Sequence, residues 1–143
     1  MIIDGKDKHL IALLRSNSRE STAKLARALG MSRTTVTSRI ERLEKRGVIA
    51  GYTVRFSAEY ERGQIQAHVM ISSDPKYSAH IVKCLKKNPA ISALHAVNGE
   101  YDMLALLSAE STQHLDTVLD EIGNTEGISK TTSSIILSTK FAR

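Results

Sequence analysis

Two amphipathic helix patterns joined by only three residues, Gly30-Met31-Ser32, constrain this chain more than any other feature. The upstream pattern starts near Ser21 or Thr22 and turns Leu25, Ala26 and Leu29 inward. Gly30 then suits the left-handed position that ends a helix, and Ser32 suits the cap that starts the next. The downstream pattern, RTTVTSRIERLEKR, carries Val36, Ile40 and Leu43 at i, i+4 and i+7, and Gly47 closes it. So short a joint makes the two helices cross steeply, which is helix-turn-helix geometry. An earlier helix completes the segment. Asp4 caps it, Asp7 holds the capping-box position, Leu10, Ile11, Leu13 and Leu14 form its stripe, and Asn17 marks its end. After Gly47, the runs VIA and YTVRF flank Gly51 and read as a β-hairpin, the wing of a winged helix-turn-helix, with Tyr52 and Arg55 within reach of a nucleic-acid backbone.

Charge supports a polyanion-binding head. Residues 1–56 carry 12 Lys/Arg against 5 Asp/Glu, whereas residues 57–143 carry 8 against 10. The whole chain has a net charge of +5, so its basic excess lies entirely in the head. The third helix presents Arg33, Thr34, Thr35, Thr37, Ser38, Arg39 and Arg42 away from its apolar stripe. Together with Ser32, these are the candidate DNA-contacting residues. Hydroxyls at a helix N-terminus suit phosphate oxygens, and a guanidinium can bond a guanine edge bidentately. The helix's acidic residues, Glu41 and Glu44, lie in its second half.

Residues 57–63, SAEYERG, read as a linker, so the expected domains are 1–56 and 64–143. Strand patterns at 64–73, 91–98, 101–109 and 128–139 alternate with helix patterns at 75–88 and from Ser111 onward. Gly99-Glu100 reads as a two-residue turn between the middle strands. The order βαββαβ predicts an α+β, ferredoxin-like domain with both helices on one face of an antiparallel sheet. Strand 101–109 is apolar on both faces: Met103, Ala105 and Leu107 on one, Leu104 and Leu106 on the other. The helices cover one face, so a second copy is expected on the other, making a homodimer. Dimers also suit two-fold double-stranded DNA sites.

Enzyme and metal signals are weak. Ser21-Thr-Ala-Lys24 matches a serine-lysine catalytic pattern, yet Ser21 stands at a helix start and has no partner motif. The five histidines lack metal spacing, although His68 and His95 lie on strands that could bring them together. The single Cys84 reads as a buried small hydrophobe in a reducing, cytoplasmic setting. No apolar run is long enough for a membrane span or a signal peptide. No catalytic residues, metal ligands or cofactor are expected.

The stretch from Leu25 through MSRTTVTSRIERLEKRGVIAGYT resembles the recognition helix and wing of the Lrp/AsnC, or feast/famine, regulators. The segment HAVNGEYDML resembles that family's G-x-[FY]-D turn between the middle strands of its ligand-sensing domain. The resemblance implies a transcription factor that binds DNA as a dimer, assembles further, often to octamers, and senses an amino acid at that turn. It points to Asn98, Gly99, Glu100, Tyr101 and Asp102, with hydroxyls of Thr131 and Ser133 as further candidates. Asp102 would pair the ammonium, and backbone N–H groups the carboxylate. Two departures stand out. Arg33-Thr34-Thr35 replaces a frequent proline, so site preference is expected to differ. No helix is expected beyond the last strand, at Lys140–Arg143, so assembly through such a tail is not expected. Two alternatives share the architecture: an enzyme resembling the siroheme decarboxylases, using His95 or His68, and an effector-independent architectural DNA-binding protein.

Overall fold

The structure, a computed structural model, describes residues 3–142. It divides into two compact units, with the boundary between Arg55 and Phe56.

The first unit is three helices: α1 (Gly5–Ser16), α2 (Thr22–Leu29) and α3 (Arg33–Lys45). Each begins where a short polar side chain can take an orphan backbone N–H. Asp4 accepts from Asp7 N–H, Ser21 from Lys24 N–H, and Ser32 from Thr35 N–H. Ser21 is therefore a helix cap. Gly30 ends α2 at φ 63° and ψ 41°, a left-handed conformation, and the next residue's Met31 N–H donates to Ala26 O. The core is Leu10, Leu14, Leu25, Ala26, Leu29, Val36 and Leu43, drawn from all three helices. Leu10 and Val36 are fully enclosed, each contributing roughly 1.5–3 kcal/mol by burial.

The expected wing hairpin does not form. Residues 50–56 are irregular, and among the described residues none of them pairs in a strand. Tyr52, Val54 and Phe56 alternate along this run and all three are exposed. The sequence has strand alternation, but the VIA half is spent closing α3. Val48 N–H and Ile49 N–H both donate to Leu43 O, leaving YTVRF without a strand to pair with. The expected linker contains a single helical turn, α4 (Ala58–Glu61), capped by Ser57.

The second unit runs β1 (Ile65–Ser73), a 3₁₀ turn (Pro75–Tyr77), α5 (Ser78–Leu85), β2 (Ile91–Ala96), β3 (Met103–Ala109), α6 (Thr112–Gly123) and β4 (Ile128–Ile135). The sheet order is β2-β3-β1-β4, with every neighbouring pair antiparallel, as the ferredoxin-like plan requires. Ala67, Val69 and Ile71 of β1 and Met103, Ala105 and Leu107 of β3 alternate onto one buried face. Ile81 and Leu85 of α5 and Leu115, Val118 and Ile122 of α6 complete that core. Gly127, at φ 96°, has no room for a side chain, because a Cβ there would overlap Tyr77.

The opposite sheet face carries Met70, Leu104 and Leu106, half-buried, among exposed His68, His95, Thr132 and Ser134. His68 and His95 do not adjoin, because β3 lies between their strands and places Leu106 and Leu104 beside them. Cys84 is half-buried rather than enclosed. It sits at the edge of the α5 stripe with Sγ 3.5 Å from Nε2 of His80, one turn earlier.

Candidate nucleic-acid interface and effector turn

The outer face of α3 follows from its inner one. Val36 and Leu43 are buried, so Arg33, Thr34, Thr37 and Ser38 point outward and are exposed. Thr35 is also exposed, but its hydroxyl lies 2.8 Å from the Ser32 hydroxyl, tightening the cap. Ser32 thus serves first as the start of the helix. Among the described residues, Arg33, Thr34, Thr37 and Ser38 have no side-chain hydrogen bond or ion pair.

Arg39 and Arg42 are arranged otherwise. Position 39 stands three residues after Val36, at the margin of the apolar stripe, and its side chain is only 19% exposed. Arg39 Nη1 donates to Asp4 Oδ2 at 2.8 Å and to Asp7 Oδ1 at 2.7 Å. Arg42 Nη2 donates to both Asp7 oxygens, at 2.8 and 3.1 Å, while its side chain stays 44% exposed. Asp7 is buried, so it does not complete a capping box. Its carboxylate turns from its own helix to α3, drawn by two guanidiniums. The Arg39 hydrogen bond and the Asp7 N–H hold the Asp4 carboxyl below its ordinary range, and the same carboxylates raise the Arg39 guanidinium. The expectation that Arg39 presents a free fork to solvent is not met. Tyr52 is also engaged, its hydroxyl donating to Glu44 Oε1 at 3.1 Å.

In the second unit the β2–β3 connection spans residues 97–102 rather than two. Val97 N–H donates to Asp102 O, and Asp102 N–H crosses to Ile71 O at 2.9 Å. Asp102 Oδ2 accepts from Ser73 N–H at 2.8 Å, clasping the turn to the end of β1. Gly99 holds φ 116°, where a side chain is strained. Asn98 and Glu100 are exposed. The Tyr101 hydroxyl lies 3.0 Å from Thr132 Oγ1, and the Lys130 ammonium is 5.9 Å from the Tyr101 ring centroid. Residues 98–102 therefore come together with Ser73, Lys130 and Thr132. Thr131 and Ser133 do not join them. They pair opposite Ile71 and Val69, on the helix-covered side, whereas Thr132 pairs opposite Met70 on the open side. A one-residue register difference moves the hydroxyl from one sheet face to the other.

Comparison with known proteins fits both units. The AsnC-type helix-turn-helix domain matches residues 3–44, and the Lrp/AsnC ligand binding domain matches residues 66–143. The chain belongs to the Lrp/AsnC family. It is 31% identical over 140 residues to the HTH-type transcriptional regulator LysM of Saccharolobus solfataricus, covering 97% of this chain and 96% of that one. The feast or famine regulatory protein of M. tuberculosis, solved complexed with L-methionine, superposes with a TM-score of 0.88 at 30% identity, covering 99% of this chain and 96% of that one. E. coli AsnC shares the fold, with a TM-score of 0.89 at 22% identity over 100% of this chain and 97% of that one. This family member is accordingly a transcriptional regulator with a helix-turn-helix domain and a ligand-binding domain. Among the described residues, no helix is long and apolar enough to cross a membrane.

Proposed function

We propose that this regulator reads double-stranded DNA with the outer face of α3 and is modulated in the cytoplasm by a free amino acid bound at the 98–102 turn. The observation that carries the first part is the exposed row Arg33, Thr34, Thr37 and Ser38 on the second helix of a helix-turn-helix. Ser32 and Thr35 order the helix start at the phosphate level, and Arg42 offers its exposed side to the same backbone. Selection from a random duplex pool should yield a preferred site. Arg33→Ala should reduce the salt dependence of binding by about one phosphate's share. A chain that selects no sequence from the pool would refute sequence-specific reading.

The effector reading is supported by mixed charge around the turn, which carries the acidic Glu100 and Asp102, while the Lys130 ammonium lies 5.9 Å from the ring centroid of their neighbour Tyr101. An amino acid needs both signs. The L-methionine complex of the M. tuberculosis relative supports the same ligand class. Calorimetry across the common amino acids should find a ligand whose binding weakens in Glu100→Gln. No heat from any of them refutes this part. We further propose a homodimer through the open sheet face, assembling to an octamer, because Met70, Leu104 and Leu106 form an apolar centre with a polar rim there. The regulatory role requires no catalysis, and the named relatives are regulators.

A further inference from the structure

We propose that Asp7, on a helix that does not read DNA, decides which arginines of α3 reach it: Asp7 withdraws Arg39 from the readout set and aims Arg42. This rests on the reading that α3 docks on duplex DNA.

Four charged groups meet between α1 and α3. Asp4 and Asp7 of the α1 start meet Arg39 and Arg42 of α3 through four hydrogen bonds of 2.7–3.1 Å. Two carboxylates offset two guanidiniums, so this part of the basic head is neutral on its own. Arg39 is the more committed of the pair. One nitrogen, Nη1, serves both carboxylates, and its Nε is buried without a partner among the described residues. A guanine edge needs two donors of one fork presented together, and Arg39 has no such pair facing solvent. Arg42 is bound differently. Both of its bonds to Asp7 run through Nη2, and nearly half of its side chain is in solvent. Its Nη1 and Nε are left to meet a phosphate, with the side chain already held in one orientation. Asp7 is thus a positioning residue, and it is the buried member that both arginines share.

The test is equilibrium binding of the full chain to a fluorescent duplex recovered from the random pool, across a salt series. Each variant is first confirmed folded by circular dichroism. Arg39→Lys keeps the charge that holds Asp4 and Asp7 but lacks the bidentate fork. It should leave both the salt slope and the selected base preference unchanged. Arg42→Ala should flatten the slope by about 0.9, one phosphate contact. Asp7→Asn should release Arg39, steepening the slope or altering the selected sequence. Arg39→Met serves as a second variant and should behave as Arg39→Lys does. The proposal is overturned if Arg39→Lys or Arg39→Met erases a base preference or flattens the slope as Arg42→Ala does. It is also overturned if Asp7→Asn changes neither quantity. The Arg33→Ala control separates the two failures: if it too is without effect, the docking of α3 itself is wrong.

Discussion

Gly30 allows the turn of the first unit to be tested by one atom group. In Gly30→Ala the added Cβ meets nothing within 4 Å, so no steric clash enters. What remains is the backbone at φ 63° and ψ 41°. An L-residue held in that left-handed conformation costs roughly 1–2 kcal/mol. Alanine also narrows the unfolded ensemble, which offsets about 0.4–1 kcal/mol. The net expectation is about 1 kcal/mol of destabilisation, or a fall of about 4–8 °C in the melting temperature of a unit this small. Asparagine tolerates the left-handed region better, so Gly30→Asn should lose less. The assay is denaturant-dependent hydrogen exchange resolved by peptide, with the second unit as internal reference. Protection should fall in α2 and α3 and stay constant in β1 and β3. A stabilising Gly30→Ala would refute the reasoning, because the turn could not then be left-handed at residue 30.

Four further outcomes follow from the same structure. Asp7→Ala leaves Arg42 without its carboxylate partner and Arg39 with Asp4 alone, and should destabilise the first unit, read by denaturant melts. Asp4 has its folded pKa depressed, so its contribution is present above the unfolded carboxylate range and is lost as pH falls through the lower folded value. Accordingly, the stability gap between the native chain and Asp4→Asn should be flat near neutrality and close on acidification; a gap that instead opens on acidification contradicts this sign. Ser32→Ala should cost about 1 kcal/mol in the first unit's melting by removing the α3 cap. Leu104→Glu should shift the light-scattering mass toward that of a single chain while preserving the circular dichroism of the sheet; an unchanged mass would remove the open sheet face as the dimer contact.

The parts legible in the sequence were those written in local chemistry. Asp4, Ser21, Ser32 and Ser111 each cap a helix in the structure, and Gly30 ends one. The alternation of Ala67, Val69 and Ile71 against Met103, Ala105 and Leu107 was enough to give the layered second unit. What stayed hidden depends on partners distant in the chain. Asp7 reads as an ordinary first-turn acid, and nothing within a helical repeat announces that Arg39, 32 residues later, will neutralise it. The one local clue was the spacing of Arg39 from Val36, beside the apolar stripe rather than opposite it. Thr131 and Thr132 are equally plausible hydroxyls until the β1–β4 register assigns them to different faces. The YTVRF run has the right composition for a strand, but a strand also needs a neighbour, and Leu43 had already captured the preceding amides.

That unpaired run also makes the polypeptide separable. From residue 50 to residue 56 no main-chain amide bonds to another main-chain group among the described residues; Tyr52 and Phe56 offer sites to chymotrypsin-like proteases and Arg55 to trypsin-like ones. A brief digestion should nick there first and release two pieces, each retaining its own set of enclosed aliphatic side chains. The helix-turn-helix piece and the ligand-binding-domain piece could then be purified and studied apart.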